Sequence, residues 1–210
     1  MQVGTLAALW RYPVKSLKAE PLQRVAVLSD GLEGDRTAAL TVETPTHARA
    51  GKPYRGKENN RLHLTSDPET AASYARDRHV DVGLDRARPR WFDARPVSVL
   101  LDLWVRDVET LLGASLDPLR WRPNLYVVAD PAFARREADL VGATLRIGGA
   151  TLDVVATIDR CVTPNYDVAT GEENADVLRR IANDRDNVMG IYCEVTVTGD
   201  IAVGETLTLT

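Results

Sequence analysis

The sequence predicts an α+β protein built on a β-barrel core, and two observations carry that expectation. Short apolar runs of strand length recur from end to end, bounded by turn residues, and only three segments carry a helical pattern. Strands do not alternate one for one with helices, so a parallel α/β sheet is disfavoured and closure of the strands on themselves is favoured.

Val3 to Trp10, Leu22 to Leu28 and Thr37 to Val42 alternate apolar and polar stretches with turns between them, as short antiparallel strands do. Residues 43 to 60 break the pattern with proline, glycine, lysine, arginine and asparagine; a polar loop this long is usually a functional lid or a linker. A helix is expected over Pro68 to Arg78, with Asp67 as N-cap just ahead of a proline at the first helical position. Pro96 to Leu101 reads as a buried strand, and Val105 to Leu112 as a short amphipathic helix closed by Gly113. Leu125 to Val128 and Thr144 to Ile147 follow as strands, and Gly148-Gly149 turns the chain into Thr151 to Thr157 as a hairpin. Beyond a loop around Cys161 come a helix near Ala175 to Asn183 and two last strands, Ile191 to Thr198 and Thr206 to Thr210.

The 210 residues carry a net charge of -4, which argues against broad contact with nucleic acid or an acidic membrane while leaving room for a local cationic pocket. The first residues lack the pattern of a signal peptide, and no apolar run reaches the length of about 18 residues that a membrane helix needs. A soluble, cytoplasmic protein is therefore expected. Two cysteines, Cys161 and Cys193, are read as thiols; Cys193 is expected to be packing material. His47, His63 and His79 show no zinc-ligand spacing and are read as surface or polar-core residues.

Three cation-bearing segments stand out, Trp10 to Leu17, Gly31 to Arg36 and Arg120 to Leu125, and within them the motifs Tyr12-Pro13-Val14-Lys15-Ser16, Gly34-Asp35-Arg36 and Arg122-Pro123-Asn124. With them go Arg160-Cys161, the segment from Asp167 to Gly171, Gly190-Ile191-Tyr192 and the closing Gly199 to Glu205. In this order they resemble the MOSC family, named for the C-terminal domain of molybdenum cofactor sulfurase. The resemblance is closest to the branch with an N-terminal barrel segment that includes the mitochondrial amidoxime-reducing component and its bacterial relatives. It implies a smaller N-terminal β-rich segment over residues 1–90 and a MOSC domain with a β-barrel core over 91–210.

The resemblance further implies a molybdenum cofactor, carried by molybdopterin, with Cys161 as the protein's thiolate ligand to the metal and the catalytic residue. Lys15, Ser16, Arg36, Arg122, Asn124, Arg160 and Tyr192 would hold the cofactor, and Arg95 would add a contact to its phosphate or pterin. The residue types suit that task, since Lys recognises phosphate as a point charge and Arg as a planar fork. The implied activity is reduction of N-hydroxylated or N-oxide-like small molecules by two-electron oxo transfer. No ferredoxin-type cysteine set and no flavin or nicotinamide fingerprint appears, so electrons would come from a separate donor protein of the ferredoxin or flavin reductase type. Three departures stand beside this: Ala94 and Arg95 replace small hydroxyl residues, Ile158 replaces a second cysteine, and Asp159 is an unusual neighbour for the metal ligand. Two other readings use the same residues: a sulfur carrier with a persulfide on Cys161, and a carrier that binds the cofactor without turnover.

Overall fold

A computed structural model describes all residues, 1–210, of the chain. Thirteen strands and three α-helices form in order: β1 (Gln2–Arg11), β2 (Glu20–Leu22), β3 (Arg24–Leu28), β4 (Gly31–Leu32), β5 (Ala39–Val42), α1 (Pro68–Arg76), β6 (Val82–Asp85), β7 (Val97–Leu101), α2 (Asp102–Leu112), β8 (Leu125–Ala129), β9 (Thr144–Ile147), β10 (Ala150–Asp159), α3 (Asp176–Asp184), β11 (Val188–Val197), β12 (Gly199–Ala202) and β13 (Thr206–Leu209). The main sheet runs β13-β9-β10-β11-β7-β8-β1, and β13 pairs again with β1, closing a seven-stranded barrel with β2 appended to β1. Its ladders are antiparallel except β7 with β8, which are parallel because α2 crosses between them. The α+β barrel that the sequence predicts is therefore the fold.

β1 sends Val3, Leu6 and Leu9 into the barrel core, a three-residue spacing that goes with register shifts in its ladders with β13 and β8, and there they meet residues such as Val99, Leu125, Leu152, Ile191 and Leu207 in one cluster of 30 buried side chains. Closing the barrel requires a glycine at position 4: a Cβ there would sit 2.2 Å from the Val128 carbonyl oxygen. A second, smaller cluster of ten buried residues, among them Val14, Leu17, Leu40, Tyr54, Leu62 and Ala71, lies under α1 and the antiparallel pair β5 and β6. Asp67 caps α1 by accepting from the backbone N–H groups of Glu69 and Thr70, as its sequence predicts. The helix α2 begins three residues before the apolar pattern suggests. Asp102 starts it and accepts a hydrogen bond from the Ala129 backbone at 2.8 Å, a tertiary contact that no local pattern carries. No helix is long and apolar enough to cross a membrane.

Candidate functional site

The loop after β1 is zipped to the segment after β4: the Tyr12 backbone N–H donates to the buried Asp35 carboxylate at 2.7 Å, and the Arg36 N–H donates to the Tyr12 carbonyl at 2.8 Å. The Tyr12 hydroxyl donates to the Pro123 carbonyl at 3.0 Å, which ties in the third motif. Two guanidiniums then lie over one ring: Arg122 at 4.2 Å and Arg36 at 4.8 Å from the Tyr12 centroid. Burial drives the Tyr12 pKa well above its ordinary value despite those two cations, so the hydroxyl stays a neutral donor. Three distant sequence motifs are in this way gathered around a single aromatic side chain.

Ser16, Arg36 and Arg122 share a second property. All three adopt left-handed backbone, with φ of 71°, 48° and 52°, although none is glycine. Such positions store about 1–3 kcal/mol each and concentrate at binding and catalytic sites.

The cleft they line has a volume of about 300 Å³ and includes Lys15, Ser16, Arg36, Arg122, Arg160, Cys161 and Tyr192 of the residues expected from sequence. Cys161 is exposed in the turn that follows β10, with Sγ 3.2 Å from Thr163 Oγ1. Arg160 points back under it. Its Nη1 donates to the Trp121 carbonyl at 3.0 Å, its Nε to the Met189 carbonyl at 2.8 Å, and its Nη2 to the same Met189 oxygen. Burial lowers the Tyr192 hydroxyl's acidity further, so that group too is neutral.

Two expected residues fall elsewhere. Asn124 is buried beneath the cleft, not in its wall: its Oδ1 accepts from the Ser98 backbone at 3.1 Å and hydroxyl at 3.0 Å, and its Nδ2 donates to the Trp10 carbonyl at 3.2 Å. It is a strut between β1, β7 and β8. Arg95 is exposed and pairs with Glu194 at 3.4 Å, because the chain bends at Asp93 and Ala94 and turns the next side chain away from the cleft. Asp93 instead lines the mouth of the cleft, its side chain still exposed, and pairs with Lys15 at 2.5 Å.

Residues outside the set expected to hold the cofactor complete the walls. Arg55, Gly56 and Lys57 come from the polar loop, His63 from the 3-10 turn after it, and Arg120, Trp121 and Thr163 from turns near the barrel rim. Arg120 donates to the Pro164 and Asn165 carbonyls and to the Asp167 carboxylate at 2.8 Å, which fixes the loop that carries Cys161. His63 is 8% exposed; burial, then the adjoining Arg122, pushes its pKa down to about 3 against a weaker pull from the Ser16 backbone. The ring is therefore neutral, and since Arg122 can only donate, Nδ1 accepts from it at 3.1 Å. A Cβ on Gly56 would lie 2.1 Å from this ring, so the polar loop packs directly on it. A histidine flanked by Leu62 and Leu64 was the available sequence signal.

Seven cationic side chains face the cleft against two carboxylates, Asp93 and Asp159, in a chain whose net charge is -4. Lys15, Arg36, Arg55 and Arg120 each have a carboxylate partner. Arg122 and Arg160 have none, only a neutral imidazole and backbone carbonyls. Burial draws both guanidiniums down to about 10, still protonated at neutral pH. Both guanidiniums are half-buried, and cations drawn out of water without counter-ions are unfavourable unless something supplies negative charge, so the arrangement favours an anion. No group of three or more His, Cys, Asp or Glu side chains could hold a metal ion. A metal at Cys161 would have to arrive with its other ligands, and a thiolate suits a soft one.

A family model for the MOSC domain matches residues 74–208, well over half of the chain. The chain belongs to the MOSC family. MOSC domains are associated in general with binding of the molybdenum cofactor. The YuaD protein from Bacillus subtilis has a similar fold, with a TM-score of 0.54 and 16% identity over 98% of this chain and 94% of that one. A hypothetical protein of known crystal structure gives a TM-score of 0.50 and 14% identity, covering 99% of this chain and 69% of its own. No curated protein matches the sequence. In this MOSC chain, β1 of the N-terminal segment is a stave of the barrel, paired with β8 and β13.

Proposed function

We propose that this MOSC protein is a molybdenum-cofactor oxidoreductase that reduces N-hydroxylated or N-oxide-like small molecules with electrons from a separate donor protein. The observation that carries the reading is the cleft itself: an exposed thiol at the rim of a pocket holding two half-buried guanidiniums without carboxylate partners. Arg122 and Arg160, with Lys15, Arg36 and Ser16, would hold the anionic cofactor, and Cys161 would ligate its metal. The bound cofactor supplies two-electron redox chemistry. Overall, the N–O bond of the substrate breaks, two electrons arrive from the donor protein and two protons from solvent, and the products are water and the deoxygenated nitrogen compound, an N–H compound where the substrate is N-hydroxylated. The chain's own task is to bind, orient and surround the reacting group with fixed positive charge. Asp159 and Asp93, at the cleft wall, are the carboxylates available to a basic substrate.

The test is metal content and turnover of protein purified from a molybdate-fed host. About one molybdenum per chain is expected, together with reduction of a hydroxylamine by an artificial electron donor. Cys161→Ala should abolish turnover and alter the metal's X-ray absorption spectrum, whereas Cys193→Ala should cost only packing, since Cys193 is buried and its thiol is held protonated by burial. Exposure of Cys161 also favours a second reading, a sulfur carrier. Cyanide-releasable sulfur on Cys161 in metal-free protein, with no reduction of N-hydroxylated compounds, would establish that reading and remove the first.

A further inference from the structure

A second chamber, of about 200 Å³, adjoins the cationic cleft, and the two share a wall of four residues: His63, Arg120, Arg122 and Thr163. Beyond that wall its character changes. Its other lining residues include Ala19, Leu119, Tyr166, Val168 and Ala169, with the Tyr12 ring at one side. The only other charges are Lys18 and Asp117, of opposite sign and both exposed. The Asp117 carboxylate is moreover engaged in capping the turn that carries Arg120, accepting from the Leu119 backbone at 2.8 Å.

The shared wall is held rigid on both sides. Arg120 is fastened to Asp167 and two carbonyls, and Arg122 to His63. Beyond the shared wall the lining offers one exposed cation, Lys18, and an otherwise apolar surface that a non-polar body would cover. Its size fits one six-membered ring, since an apolar cavity of about 150 Å³ takes benzene. Thr163 lines both spaces, and its hydroxyl is 3.2 Å from the Cys161 sulfur. A ligand lodged in the chamber thus has a short polar path, past Thr163, to the thiol.

We infer that this chamber receives the apolar body of the substrate, a single aromatic ring or a short branched alkyl group, while its N-hydroxyl end reaches the Cys161 cleft. The inference rests on the reductase reading, which it sharpens to N-hydroxylated compounds bearing one such group. Leu119, Val168 and Ala169 become the residues that set specificity.

The experiment measures dissociation constants by calorimetry on cofactor-loaded protein for N-phenylhydroxylamine and N-methylhydroxylamine, with turnover followed in parallel. Ala169→Trp narrows the chamber from an exposed position outside the cationic cleft. It should weaken the phenyl compound about tenfold or more, by excluding a ring's worth of apolar burial, and the methyl compound less than about twofold, with molybdenum content unchanged. Leu119→Ala, which enlarges the chamber, should raise affinity for a naphthyl analogue relative to the phenyl compound. Equal weakening of both hydroxylamines, no effect on either, or loss of molybdenum from Ala169→Trp would overturn the assignment, the last by giving the chamber to the cofactor. Wild-type protein that shows the selective binding without reducing either compound would support the chamber and remove the reductase reading.

Discussion

His63 shows how much one neutral side chain decides. It gives Arg122 an acceptor without giving it a counter-ion, so the guanidinium is oriented while its charge stays available to a ligand. Two substitutions separate these roles. His63→Gln keeps a neutral acceptor and should retain most of the molybdenum cofactor, whereas His63→Glu places a carboxylate against Arg122 and should lower cofactor occupancy about tenfold or more, because a charge-assisted bond to the ligand contributes about 1.5–3 kcal/mol. Molybdenum content per folded chain reads the difference; equal content in the two variants would refute it. The same residue sets a pH dependence. Its folded pKa of about 3 lies below the ordinary 6.5, so below pH 6.5 the unfolded chain takes up a proton that the folded one refuses. Stability is then complete above pH 6.5 and declines as pH falls toward 3, by at most about 1.4 kcal/mol per pH unit. Urea midpoints should therefore fall between pH 6.5 and 4.5 in wild type and less steeply in His63→Gln, with carboxylate effects common to both.

Among the elements, the sequence was most legible where local chemistry ends a strand or helix. β9 is bounded as expected because Gly142 and Gly148, both at positive φ, frame it, and α1 starts as expected because Asp67 caps it. β4, β6 and β12 are two to four residues long and exist through their partners β3 and β5, so nothing in their own composition announces them. The candidate site divides the same way. Lys15, Arg36, Arg122 and Cys161 stand in motifs that a resemblance carries, but the placing of Asn124 under the cleft and Arg95 outside it depends on which way a turn faces. Gly190, at the start of the central part of β11, tests how strand geometry supports the site. Its φ is 92°, and a Cβ would come within 3.1 Å of the Val99 carbonyl and 3.3 Å of Arg160 Nη2. Gly204 has the same φ of 92° with nothing within 4 Å. Alanine at either position should cost about 1–3 kcal/mol through backbone strain, read by urea unfolding. Only Gly190→Ala should also lose cofactor, by displacing Arg160; loss in both or in neither would separate strand geometry from anion binding.

At the scale of the whole molecule, the cleft lies where two unequal cores meet. The barrel cluster holds 30 buried residues and the N-terminal one ten, and the cleft takes Lys15, Ser16, Arg36 and His63 from the smaller side and Trp121, Arg160, Cys161 and Tyr192 from the larger. Seven cations gathered there repel one another, and the ion pairs with Asp35, Asp93, Glu58 and Asp167 offset only part of that repulsion. An anionic cofactor bound between the two sides would relieve the remainder and join the smaller core to the larger. Anything that binds the native state alone stabilises it, by about 2.7 kcal/mol when present at 100 times its dissociation constant. For a chain of this length each kcal/mol moves the melting temperature by about 2–4 °C, so cofactor-loaded protein should melt roughly 5–10 °C above protein from a cofactor-deficient host. The gain should also be local: hydrogen exchange should slow on loading at residues 12–17, 36–42 and 55–63, while β10 and β11, already protected in the barrel, change little. Protection that rises uniformly, or loaded and cofactor-free protein that melt together, would mean that the cations of the cleft hold no shared ligand.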